Sequence, residues 1–239
     1  MSKLPFVADL ANINKFNEAI GSLMSKTTGN ANFGLVYGEP GLGKTETIIN
    51  RSAKDGHPMI RAKRAWSIRW MLTELSDALG LPVSGRTQVL YGQIKDELMR
   101  REIVVYIDEL DHVISNKDLI ETLRDLSDES GAKIVLIGMQ DVSNELKRYP
   151  VLESRISATV KFAPLTEIDV ATVIQAALPP KGDGEHDRDA LRMIHNLTKG
   201  NFRRLSDLID KLSTQMKVKK TGHLTLGLVR EAADLKGLK

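Results

Sequence analysis

Apolar residues in the first two thirds of the chain come in short unbroken runs, separated by stretches in which they recur at helical spacing. FGLVYG (33–38) is one such run, and the pattern after it predicts a helix opening at Lys44. HPMIRA (57–62) predicts a second strand, and WSIRWMLTELSDALG (66–80) a helix behind it. REIVVYIDE (101–109) reads as a buried strand, DLIETLRDLSDESG as the helix that follows, AKIVLIGMQ (132–140) as a fourth strand and ATVKFAP (158–164) as a fifth. Strand and helix alternating in this way predict an α/β fold, a parallel five-stranded sheet sandwiched by helices. After Pro164 the strand-like runs stop. LTEIDVATVIQAAL, DALRMIHNLTKG, NFRRLSDLIDKLSTQM and LTLGLVREAADLK predict four helices, with PPKGDGEHD as a loop between the first two. The chain therefore divides into a helical lead-in (1–30), an α/β core (31–164) and a small all-helical domain (165–239).

Composition adds exclusions. At 239 residues, 41% hydrophobic and 27% charged, the chain has the make-up of an ordinary globular protein long enough for a substantial core. It has no run of about 18 uncharged apolar residues, and its start, MSKLPFVADLANINK, lacks a signal core and cleavage pattern. The expectation is a cytosolic protein with no membrane partner. Absence of cysteine excludes disulfides, thiolate nucleophiles and cysteine metal sites. Five scattered histidines have no metal-ligand spacing, so a divalent ion would have to sit among oxygens. Net charge is only +3, but between Arg51 and Arg69 six Lys or Arg face one Asp, a local balance of +5.

The chemistry begins at Gly38-Glu39-Pro40-Gly41-Leu42-Gly43-Lys44-Thr45, which fits G-x-x-x-x-G-K-[ST] at every fixed position, directly after a predicted strand and at the mouth of a predicted helix. Glycines there let successive backbone N–H groups turn toward one phosphate, and the helix N-terminus adds its positive end. Lys44 then reaches the terminal phosphates of ATP and the Thr45 hydroxyl ligates Mg²⁺; Glu46 completes the candidate nucleotide-binding set. A magnesium–nucleotide also asks for a carboxylate at the end of a neighbouring strand, and IVVYIDE supplies two. Asp108 is the candidate for the magnesium shell, Glu109 for orienting or deprotonating the water that attacks the γ-phosphate.

With these motifs the chain resembles the AAA+ ATPases from about residue 30 onward, GEPGLGKT standing as Walker A and IVVYIDE as Walker B. The resemblance implies a P-loop AAA+ core with a helical lid. It implies that Arg155, in VLESRISATVKFAPL, reaches the nucleotide of a neighbouring subunit, and that Arg203, with Arg204 next, senses the γ-phosphate from the lid through KGNFRRLSDLID. The strand IVLIGMQ departs from the family pattern: where a small polar residue should position water it offers Met139 and then Gln140, so Gln140 takes that role from a shifted position or hydrolysis is slow. Residues 123–157 further resemble the phage Mu transposition protein B and its transposon relatives TnsC, TniB and IstB. That likeness implies an ATP-dependent homo-oligomer, a helical filament or ring, that coats double-stranded DNA without regard to sequence. It presents that DNA as a transposition target and stimulates a DDE transposase, with hydrolysis driving disassembly, in a bacterial host cytoplasm if phage-borne. The N-terminal DNA-binding region of the phage Mu protein has no counterpart in residues 1–30.

The same resemblance puts DNA contacts after the second strand, where RAKRAWSIRW carries Lys63, Arg64, Ser67 and Arg69. Repetition along an oligomer lets each copy contribute two or three phosphate contacts. Trp66 and Trp70, at i and i+4, are expected to pack on the core rather than stack on bases, and MKVKKTGH (Lys217, Lys219, Lys220) to form a solvated loop ahead of its alternative as a second phosphate or transposase contact. Helicase loaders and replication initiators share every motif named. A small-molecule P-loop kinase shares only the first, and a catalytically idle ATP-binding subunit stays compatible with Met139.

Overall fold

The computed structural model describes residues 5, 7–25, 31–181 and 185–234. Strands β1 (Phe33–Tyr37), β2 (Met59–Arg61), β3 (Val104–Asp108), β4 (Lys133–Gly138) and β5 (Ile156–Lys161) form one all-parallel sheet in the order β2-β3-β4-β1-β5. In chain order the helices are α1 (Ala11–Met24), α2 (Lys44–Asp55), α3 (Ile68–Ala78), α4 (Thr87–Arg100), α5 (Lys117–Ser130), the short α6 (Val142–Glu145) and α7 (Pro150–Glu153), then α8 (Glu167–Ala177), α9 (Arg188–Thr198), α10 (Phe202–Lys219) and α11 (Leu226–Asp234).

The chain divides into two compact units. One holds Lys15–Pro40 and Lys44–Phe162, the other the chain up to Asn14, Gly41–Gly43 and everything from Ala163. In the sheet unit the inner strands β3, β4 and β1 are buried almost throughout, as parallel strands covered on both faces must be, which is why they read as unbroken apolar runs. Alternate residues serve opposite faces. Val105, Ile107, Ile134 and Leu136 join Met71 and Leu75 of α3, Ile94 of α4 and Leu123 of α5 in one core. Tyr106 belongs to the other face, where its ring lies 6.4 Å from that of Phe16 in α1. Polar caps fix where helices start: Ser67 accepts from the Trp70 N–H at α3, and Asn116 from the Leu119 N–H at α5. In the helical unit Leu10 and Ile13 share a core with Val170, Ile174, Ile194, Leu208 and Val229. Thr166 and Asp169 close a reciprocal capping box on α8. No helix among the described residues is long and apolar enough to cross a membrane.

The five predicted strands are all present, with β5 starting at Ile156 rather than 158. Three expectations need correction. Residues 87–100 form α4, with Leu90, Ile94 and Leu98 buried, where no element was expected. α10 continues through Lys219, so Lys217 and Lys219 stand on its last turn instead of in a loop. Trp66 lies ahead of α3 and is buried, whereas Trp70 is 41% exposed, so only the first packs on the core.

Candidate nucleotide-binding site

The loop after β1 turns on glycines with positive φ at Gly38 (153°), Gly41 (79°) and Gly43 (91°). Gly38 is required by space as well, since a Cβ there would stand 2.6 Å from the Phe162 carbonyl oxygen. Lys44 opens α2 and is only 8% exposed; its ammonium donates to the carbonyls of Gly38 (2.7 Å) and Glu39 (2.9 Å). The Thr45 hydroxyl donates to Oδ2 of Asp108 (2.8 Å). Asp108, at the end of β3 and 3% exposed, uses Oδ1 to accept the Glu109 N–H (2.9 Å). Leu42 is buried, Glu39 and Pro40 lie at the surface, and Glu46 turns along its helix to accept from Asn50. Within the helical unit, the Arg203 N–H donates to the Gly41 carbonyl (3.0 Å), and Asn201, the N-cap of α10, lies where a Gly41 Cβ would be. Arg203 and Arg204 are exposed at the start of that helix.

Glu109 leaves the strand in the left-handed region, φ 57° and ψ 39°. Among the described residues the other non-glycine positive-φ positions, Lys199 and Lys220, merely end helices. A strained backbone at the second carboxylate aims it away from the strand axis. Its side chain meets two groups that the sequence motifs do not mark. Arg61 Nε is 3.7 Å from Glu109 Oε1, and Arg61 Nη2 is 3.8 Å from Asp108 Oδ2, because parallel pairing sets Arg61 opposite Asp108. His112 Nδ1 lies 3.5 Å from Glu109 Oε2 and 3.0 Å from the Ala62 carbonyl oxygen. A third unmarked residue, Asp111, accepts the Met139 N–H through Oδ1 (2.8 Å) and so ties the turn after β3 to the end of β4. Met139 is exposed there and Gln140, next to it, is half-buried.

Arg155 is not gathered with these groups. Its carbonyl accepts the Phe33 N–H at the start of β1, whereas the glycine loop follows the end of that strand, about 16 Å further along at ~3.3 Å per residue. Its guanidinium grips Asp128 of α5 through Nε–Oδ1 and Nη2–Oδ2, both 2.7 Å, and donates from Nη1 to the Val151 carbonyl (2.7 Å). The bond to Asp128 raises its pKa above the usual arginine value.

The basic segment stays together on the exposed turn from β2 into α3. Lys63 pairs with Glu74 and lies over the Trp70 ring; Arg64 is exposed; the Ser67 hydroxyl caps α3; Arg69 donates to the Gly85 carbonyl (2.8 Å). On α10, Lys219 pairs with Glu231 of α11.

Residues 27–146 match the family model described as the AAA domain. A potential ATP-binding protein of Staphylococcus aureus is 26% identical over 136 residues, 55% of this chain and 49% of that protein. The chain thus spans about half the length of the curated relative it matches. Among solved structures, Cdc6p of Pyrobaculum aerophilum is similar with a TM-score of 0.70 at 17% identity, over 98% of this chain and 69% of that one. The Orc1 protein of Aeropyrum pernix in complex with DNA gives 0.63 at 16% identity (98% and 67%). The RuvB Holliday junction branch migration motor of Thermotoga maritima gives 0.62 at 19% (97% and 72%). At these identities the structures show a shared fold.

Proposed function

The chain belongs to the AAA domain family of ATPases, and from that premise we propose that it is an ATP-controlled protein that binds double-stranded DNA without sequence preference, assembles on it as a filament and delivers it to a DDE transposase as a target. The observation that carries this reading is the adjacency of the basic segment to the second carboxylate. Arg61, from which that segment starts, is within 4 Å of both Asp108 and Glu109, and the Ala62 carbonyl contacts His112, which contacts Glu109 in turn. A load placed on residues 63–69 is therefore one strand away from the group that would activate water.

At the site, the loop N–H groups and Lys44 bind the ATP phosphates. The donors fit Mg²⁺: the Thr45 hydroxyl and the Asp108 carboxylate are already paired, and a hard ion bound with substrate phosphates asks for one or two such oxygens. Held by Thr45 and Asp108, Mg²⁺ would supply positive charge to offset that of the phosphates. Glu109 accepts a proton from the water whose oxygen bonds to the γ-phosphorus as the bond to the bridging oxygen breaks, releasing ADP and inorganic phosphate. Gln140 is the group for orienting that water. Arg155, at the far end of its own sheet, acts on the nucleotide of another copy after leaving Asp128, and Arg203 answers to the γ-phosphate from α10. Lys63, Arg64, Ser67 and Arg69 track the DNA backbone, and hydrolysis ends the bound state. The transposase partner follows from the resemblance of residues 123–157.

A second reading, a helicase loader or replication initiator, draws on the fold shared with Cdc6p and with the DNA-bound Orc1 protein. Electron microscopy of the protein on plasmid-length duplex DNA, in ATP with Mg²⁺ and in ADP, separates the two. Continuous filaments confined to ATP support the target-delivery reading. Discrete closed rings move the assignment to a loader, and no DNA association in either nucleotide refutes both.

A further inference from the structure

Lys63 and Trp70, on the segment read above as a DNA contact, converge on one anionic oxygen. Helix α3 carries Trp70 and Glu74 at i and i+4 on its outer face, and the turn before its Ser67 cap brings Lys63 over them. Glu74 Oε1 receives both the Lys63 ammonium and the Trp70 indole N–H, the latter at 2.6 Å. The same ammonium lies 5.3 Å from the centre of the Trp70 ring. Lys63 is about half exposed, its side chain at 49%, and Glu74 is at 23%. A cation and a neutral N–H donor aimed at a single charged oxygen, beside an exposed aromatic face, is also the arrangement that would receive an oxygen of a phosphodiester. The carboxylate occupies the place of the phosphate.

We propose that Glu74 is an internal stand-in for a DNA phosphate, holding Lys63 and Trp70 in a phosphate-binding arrangement and having to be displaced when duplex DNA binds. The inference rests on the reading of residues 63–69 as the DNA contact and identifies the group that restrains it. Two consequences follow from the chemistry. Lys63 is neutralised in advance, so its gain on meeting DNA is reduced by the ion pair it must break. Once displaced, Glu74 remains close to a polyanion and repels it. Both effects weaken binding, and both vanish if the oxygen loses its charge while keeping its shape.

The test is binding of the full chain, in ATP and Mg²⁺, to a fluorescently labelled duplex across a series of salt concentrations, read by anisotropy. Glu74→Gln is expected to bind roughly two- to five-fold tighter, the factor of an exposed ion pair removed. Its logarithmic salt dependence should steepen by up to about 0.9, because the Lys63 contact no longer frees a carboxylate that takes a counterion back. The gain should shrink in a Lys63→Gln background, where only the repulsion between Glu74 and the DNA is left to relieve, and Asp77→Asn, an exposed charge lost from the same helix, should not reproduce it. Trp70 emission should respond both to Glu74→Gln and to DNA, while buried Trp66 contributes a constant background. A wild type that binds duplex while Glu74→Gln leaves affinity unchanged overturns the role of Glu74 alone. So does an equal gain in the Lys63→Gln background, or with Asp77→Asn. Failure of every variant, wild type included, to bind duplex overturns the DNA reading and this one together.

Discussion

Replacing Arg155 by alanine removes three hydrogen bonds at once, two in a parallel fork to Asp128 and one to the Val151 carbonyl. Neither charge is deeply buried, with Arg155 at 17% exposure and Asp128 at 24%, so the fork falls between a surface pair and a buried one. Charge-assisted bonds of good geometry contribute more than the 0–1 kcal/mol typical of exposed pairs. Asp128 would keep only Arg124, whose Nε is 4.0 Å away, so a part of its desolvation cost is added. The sum is about 2 kcal/mol, which at roughly 2–4 °C per kcal/mol for a chain of this size lowers the melting temperature by about 4–8 °C. Thermal unfolding followed by far-ultraviolet circular dichroism reads this directly. A double-mutant cycle with Asp128→Ala should give a coupling of about 1–2 kcal/mol. Arg155→Lys, which keeps the charge but loses the fork, should recover less than half of the loss. Measuring ATP hydrolysis on the same variants, well below their melting points, divides the structural role from the proposed trans-acting one. Asp128→Ala leaves the arginine intact and should retain hydrolysis; Arg155→Ala should lose it. An Arg155→Ala protein that melts within about 1 °C of wild type would refute the view of the fork as a structural tie.

Glu109→Gln should reduce ATP turnover by about 10²–10⁴-fold with ATP and DNA binding retained, measured by phosphate release and by filter binding, since only the proton acceptor is lost. Gly38→Ala must bring a Cβ against the Phe162 carbonyl at a φ of 153°, and is expected to cost about 2 kcal/mol or more in thermal stability and to abolish nucleotide binding measured calorimetrically. Burial holds the His57 imidazole below its usual pKa, with smaller contributions from Asp55 raising it and from Arg51 and Arg101 lowering it. As pH falls through the unfolded value of about 6.5, the unfolded chain takes up the proton first and the native state loses stability. The melting-temperature difference between wild type and His57→Gln should therefore shift against wild type between pH 7.5 and pH 5.5; a constant difference would show that His57 titrates alike in both states.

Local pattern was sufficient for the parts of this protein whose physics is local. Strands β1, β3 and β4 are buried on both faces and so stand out as unbroken apolar runs. The Lys44 turn was legible because glycines at positive φ, a lysine and a threonine in fixed order answer to one short piece of backbone. The four helices of the last third were legible from their spacing and caps. Helix α4 escaped because the exposed apolar residues Val89 and Met99 stand beside the buried Leu90 and Leu98 and blur the apolar stripe, and because the segment follows the turn-rich LPVSGR.

The remainder depends on what the fold brings from elsewhere. Nothing in RAKRAWSIRW tells that Lys63 is claimed by a glutamate eleven residues later, or that one of its two tryptophans faces out. Arg61 joins Asp108 and Glu109 only because β2 pairs in parallel with β3, and His112 and Asp111 join the site only because Glu109 turns into the left-handed region and redirects the chain. Arg155 and Asp128 are 27 residues apart and meet only where the residue ahead of β5 reaches α5. A motif is a property of neighbouring backbone, and the chain states it outright; the company a side chain keeps is set by strand register and helix packing, which sum over the whole core and are written at no single position.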